Sequence, residues 1–205
     1  AAVRARTTHD RKLGRRRRRR VPLRQGDLDG LCGVYAIINA LRHLFPELSA
    51  ARSQAMFRML VRSIAPRSPA RAIAKLNDGL TIGAVFRLTK LAAAHAERCR
   101  GCSISVYLLA ARCDRGCPQR WPLAQLWHEL ATVLSSRSAV ILGLSGCQRH
   151  WSVAISISRR QLRLLDSDGL HRLRRSQCTT AWSKTKVTLS DVTCIVVTRE
   201  TGFGR

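Results

Sequence analysis

The chain has 205 residues, 45% of them apolar, and a formal net charge of +25. That length and apolar content suit one globular domain with its own core, and no apolar run reaches the roughly 18–20 residues of a membrane span. Eight cysteines in a chain too long for a small disulfide scaffold, behind a charged start with no apolar stretch before Gln25, predict free thiols in a reducing compartment, the cytoplasm of the producing cell or of a cell entered by a translocated effector.

Residues 1–24 hold 11 of the 37 Lys and Arg against a single acid, Asp10. The block Arg15 to Arg20 repels itself and has no apolar face to bury, so 1–24 reads as a disordered basic arm, either a nucleic-acid contact or a solvated tail. Residues 25–205 read as the folded domain. They are basic too, with 26 Lys and Arg against 11 acids, which favours anionic partners such as acidic protein segments or nucleic acid. Only five of the 37 are Lys, and a coding bias toward Arg and Ala gives the same excess with no partner involved.

Val34, Ile37, Ile38, Leu41 and Leu44 follow helical spacing until Pro46 stops the run. A second helix is predicted over about Leu48 to Ile64, broken by Pro66 and Pro69, and a third over about Thr81 to Arg98 after the turn signal Asn77-Asp78-Gly79. Ile104 to Leu109 suggests a strand, and Trp121 to Leu134 a fourth helix. Strands are then predicted at Ala139 to Leu144, His150 to Ile157, Leu162 to Leu165, Lys186 to Leu189 and Thr193 to Thr198. Helices first and strands later indicate an α+β domain, with an antiparallel sheet under a helix that begins near Cys32.

The chemistry concentrates at three places. Cys32 stands at the mouth of the first helix, where free backbone N–H groups and the positive end of the helix dipole favour a thiolate. Gly33 beside it leaves room for a substrate carbonyl, and Gln25 stands where its amide can join the Cys32 N–H as a second oxyanion donor. His150 opens a strand after the loop Gly146 to Arg149. A hairpin turning near Ser158 to Gln161 returns Asp166 to the level of His150, so that one ring nitrogen meets a carboxylate and the other serves Cys32. Asp168 is the rival orienting acid, and His171 the rival base. His43, His95 and His128 fall in predicted helices and suit surface roles.

Taken together, Gln25…Leu31-Cys32-Gly33-Val34-Tyr35-Ala36 with Asn39-Ala40, and His150-Trp151-Ser152-Val153 with Leu164-Leu165-Asp166-Ser167, resemble papain-like cysteine peptidases, nearest in flavour to bacterial leader-peptide-processing types. The resemblance implies a papain-like fold, Cys32 as nucleophile, His150 as base then acid, Asp166 as orienter, Gln25 in the oxyanion hole, and a protein or peptide substrate without cofactor. The Gln25-to-Cys32 interval is one residue longer than the family's usual pattern, and residues 48–135 match no pattern of that family. Two rivals stay open. A transglutaminase, acyltransferase or deamidase uses the same three residue types, and a silent papain-like module would bind nucleic acid or a protein through its basic arm. Cys99-x2-Cys102 and Cys113-x3-Cys117 invite a zinc reading, but the strand between the pairs favours free thiols and no metal.

Overall fold

The alternation of apolar residues along the central strands decides the architecture, because successive side chains point to opposite faces of a sheet. In β2, Ser138–Gly146, Ala139 and Ile141 bury on one face while Val140, Leu142 and Leu144 bury on the other. Such a strand needs cover on both sides. The computed structural model, which describes residues 22–24, 30–64, 79–112 and 121–200, provides it as three layers. Helices α1 (Cys32–Leu44), α2 (Ala50–Ile64) and α3 (Ile82–Arg100) share a core with one face of the sheet. Helix α4 (Leu123–Val133) sends Leu126, Trp127 and Leu130 into the core on the other.

The remaining strands are β1 (Ile104–Leu108), β3 (His150–Ile157), β4 (Gln161–Leu165), β5 (Arg172–Arg174), β6 (Cys178–Thr179), β7 (Val187–Thr188) and β8 (Cys194–Arg199). The main path runs β1-β8-β2-β3-β4-β5 and is antiparallel throughout; a short parallel pair, β6 and β7, joins it through β2. The fold is therefore α+β with a mostly antiparallel sheet. No described helix is long and apolar enough to cross a membrane. The predicted elements are present with ends moved by a few residues. The first predicted strand stops at Leu108, and Leu109–Arg112 continues as a 3-10 turn. Strands β5 and β6 were not predicted: Arg172-Leu173-Arg174 holds one apolar residue, too few to show a period. The basic arm lies outside the described residues except for 22–24.

Local chemistry sets the ends of these elements. Thr81 caps α3 by accepting from the Ala84 N–H at 3.4 Å, and Gly101 ends it in the left-handed region at φ 62°. Gly33 departs from its expected role. A Cβ there would meet Val85 Cγ2 at 2.9 Å and Leu80 Cδ1 at 3.2 Å, so this glycine lets α1 approach α3 and does not open space for a substrate.

One irregularity positions the site. β3 and β4 pair as Ile157↔Leu162 and Ser156↔Arg163, then shift to Ala154↔Leu164 and Val153↔Leu165. Ile155 is the extra residue, a β-bulge. A one-residue slip moves a side chain to the opposite face, so the bulge changes which residues of β3 share a face with the end of β4. Continued one step, the register sets Asp166 opposite Ser152, on the face that alternation also gives to His150.

Candidate active site

Cys32 is the first residue of α1, and Leu31 before it provides no side-chain cap. The first turn carries no acid that would occupy the positive end of the helix. The N–H groups of Val34 and Tyr35 turn back to the Leu31 carbonyl at 2.8 and 3.1 Å, whereas those of Cys32 and Gly33 find no acceptor among the described residues. Both of these N–H groups stand beside a thiol that is almost buried, at 9% exposure.

His150 begins β3, and the start of that strand is anchored. The Trp151 indole N–H donates to the Leu80 carbonyl at 2.8 Å, tying β3 to the segment that leads into α3. The hairpin closes tightly, with the Ser158 N–H donating to the Gln161 carbonyl at 2.9 Å. Its loop is three residues, Ser158 to Arg160, within the turn expected near Ser158 to Gln161.

The carboxylate that meets the imidazole is Asp166, with His150 Nε2 2.9 Å from Asp166 Oδ2. The other oxygen, Oδ1, accepts from the Asp168 N–H at 2.8 Å and the Leu170 N–H at 3.1 Å, so the fully buried carboxylate is held in one orientation. Asp168, the rival acid, contributes its backbone N–H to this cradle while its side chain is exposed. His171, the rival base, is an exposed residue of the same loop. Sequence reasoning assigned no role to Ser152. Its buried hydroxyl stands beside Asp166 and helps stabilise the ionised carboxylate, without completing a hydrogen bond in this rotamer. A serine on the buried alternation of β3 was the signal for it.

The electrostatics follow from this packing. Burial by itself pushes the His150 pKa down, but hydrogen bonds to Asp166 and Cys32, together with the charges of both, raise it to about 10. Burial pushes Asp166 up, and the His150 bond, Ser152, the imidazolium charge and the Asp168 N–H hold it below the ordinary value. Because Nε2 is engaged by Asp166, Nδ1 is the nitrogen left for Cys32. The structure thus brings Cys32, His150 and Asp166 together around one imidazole whose protonated form this packing favours. Gln25 lies outside the described residues.

The other cysteines differ. Burial pushes the Cys178 thiol up to about 12, against a small opposing effect of Lys186, and raises Cys194 further. Both donate S–H to backbone carbonyls, of Arg174 and Ser190 respectively. Cys99 and Cys147 are exposed, and all six described cysteines are free. Cys113 and Cys117, which the zinc reading requires, lie outside the described residues. No group of three or more metal-ligating side chains is found among the described ones.

Comparison with known proteins gives no family to set beside this geometry: no protein-family model, no curated protein and no solved structure matches the chain.

Proposed function

We propose that the chain is a papain-like cysteine hydrolase, a peptidase that cleaves a peptide or isopeptide bond. The observation that carries this reading is the alignment of Cys32, at the start of α1, with an imidazole held by a buried carboxylate. A cationic imidazole beside a thiol favours the thiolate, which is the nucleophilic form. The Cys32 thiolate attacks the substrate carbonyl, and the negative oxygen that develops is met by the Cys32 and Gly33 N–H groups. The C–N bond breaks as His150 gives its proton to the leaving amine, which leaves a thioester on Cys32. Neutral His150 then takes a proton from water as the hydroxyl attacks the thioester, and collapse restores the thiolate and the imidazolium. Asp166 stays ionised and fixes the ring.

Alkylation tests the nucleophile. Iodoacetamide at neutral pH, followed by peptide mapping, should modify Cys32 faster than the exposed Cys99 and Cys147, and Cys32→Ala should abolish hydrolysis of a reactive peptide. Equal or slower labelling of Cys32 sinks the nucleophile. Incorporation of an amine donor without cleavage assigns the same triad to acyl transfer instead.

A further inference from the structure

Two clefts open along β4 and β5. The first, of about 1120 Å³, is lined by Arg159, Arg160, Arg174, Arg175 and Lys186. The second, of about 680 Å³, is lined by Arg24, Arg163 and Arg172 and reaches Asp166. Gln161 lines both, so the two clefts adjoin as one basic track, which extends to Asp166, the orienting acid of the candidate active site. Arg24 reaches this track because Asn39 clamps the neighbouring Leu23: the Leu23 N–H donates to Asn39 Oδ1 at 2.9 Å, and Asn39 Nδ2 donates to the Leu23 carbonyl at 3.3 Å.

The charge along the track is unbalanced. Among the described residues, Asp166 is the one carboxylate that lines it, and it already pairs with His150. None of the eight cations has a carboxylate partner among the described residues. Two of them even face each other: the register sets Arg163 directly opposite Arg172, and both are exposed. Like charges opposed across strands destabilise a sheet, so this arrangement costs stability in the empty protein. Counter-charge from a ligand removes that cost.

The geometry narrows the ligand. Arg172 and Arg174 alternate on β5, the last strand of the main path, with Cα atoms about 6.8 Å apart along the strand. That is the spacing of alternate side chains on an extended peptide. A single nucleic-acid strand asks for aromatic platforms on which bases stack, and among the described residues no Phe, Tyr or Trp lines either cleft. We propose that the track binds an acidic, extended segment of the polypeptide substrate and delivers the adjoining bond to Cys32. This deepens the hydrolase reading and rests on it.

The test uses the full chain with Cys32→Ala, so that nothing is turned over, and follows binding by fluorescence anisotropy. The probes are a fluorescein-labelled Glu-Ser repeat peptide, its Gln-Ser counterpart and an oligo-dT strand of equal length. The Glu-Ser peptide should bind most tightly, weakening with salt. Arg163→Gln with Arg172→Gln should weaken it about tenfold or more, equivalent to ~1.4 kcal/mol. Arg58→Gln with Arg62→Gln, which removes the same charge from the exposed side of α2, should change it less than about twofold. The track variant relieves an Arg–Arg opposition, so its thermal midpoint should hold or rise, which excludes misfolding as the cause of weaker binding. Equal losses in the two double variants overturn the proposal, as does tighter binding of oligo-dT that depends on Arg163 and Arg172. Cys32 alkylation in the protein with Cys32 intact separates the two readings. A reactive Cys32 without charge-specific peptide binding sinks the track alone. An inert Cys32 with such binding sinks the hydrolase and leaves the track as an interaction surface.

Discussion

Replacing Asp166 with Asn removes a charge and keeps the shape of the side chain. Two backbone N–H groups, of Asp168 and Leu170, point at the Oδ1 position and will hold the amide oxygen there. The amide NH2 then occupies the Oδ2 position, 2.9 Å from His150 Nε2. Facing a donor, Nε2 must accept, so the neutral ring carries its proton on Nδ1, the nitrogen left for Cys32. The base therefore has the wrong tautomer. Loss of an adjacent opposite charge also lowers the imidazole pKa by about 1–3, from about 10 toward the neutral range. A wrong tautomer of this kind costs about 10⁴ in rate in a serine peptidase; for a thiol, the more acidic nucleophile, a loss of about 10²–10⁴ is expected. The assay is the rate of Cys32 alkylation by iodoacetamide against pH, read by mass spectrometry of the Cys32 peptide, which needs no substrate. Asp166→Asn should lower the rate at pH 7 and displace the profile toward alkaline pH, whereas Asp168→Asn should leave it unchanged, because only the backbone of residue 168 reaches the site. A wild-type profile in Asp166→Asn would refute the reasoning about the imidazole.

Three further outcomes are expected. The stability contributed by His150, whose pKa is raised from 6.5 to about 10, is fully present below pH 6.5 and is lost as pH rises through about 10, on the order of a few kcal/mol. The contribution of Asp166, whose pKa is lowered, is present above about pH 4 and is lost as pH falls below it; urea melts across pH should show both limbs, and Asp166→Asn should flatten the alkaline one. Ile37→Ala, at a fully buried position of α1, should cost about 2–5 kcal/mol in urea unfolding. Gly143→Ala would set a Cβ 3.0 Å from the Trp151 ring and the Thr193 Cβ; displacing Trp151 should slow Cys32 alkylation more than it lowers the melting midpoint, and an unaltered rate would show that the Trp151 anchor does not position His150.

The main helices and central strands were legible because their signals are local. Val34, Ile37, Ile38 and Leu41 repeat at helical intervals, and Trp151 to Ile157 alternate. The chemistry-bearing residues stood at the ends of those patterns, where Cys32 opens α1 and His150 opens β3. What decides between Asp166 and Asp168 was less accessible. It depends on the bulge at Ile155 and on two N–H groups of the following loop, and a single isoleucine in a β-favouring run carries no mark of a bulge. Gly33 was misread because its neighbours Val85 and Leu80 are distant in sequence. β5 stayed hidden because two of its three residues are Arg, and its place was set by pairing with β4.

The open end of the sheet has a bearing on how the protein behaves at high concentration. β5 is the last strand of the main path, and an exposed edge offers unpaired N–H and C=O groups to the edge of another copy. Arg172 and Arg174 are exposed on this one, so two such edges approach with like charge. The protection is colloidal and depends on ionic strength, since the screening length falls from about 10 Å at 0.1 M salt to about 3 Å at 1 M. Concentrated salt therefore removes the barrier between edges, and a polyanion that bridges two of them would favour self-association under conditions in which the free protein stays dispersed.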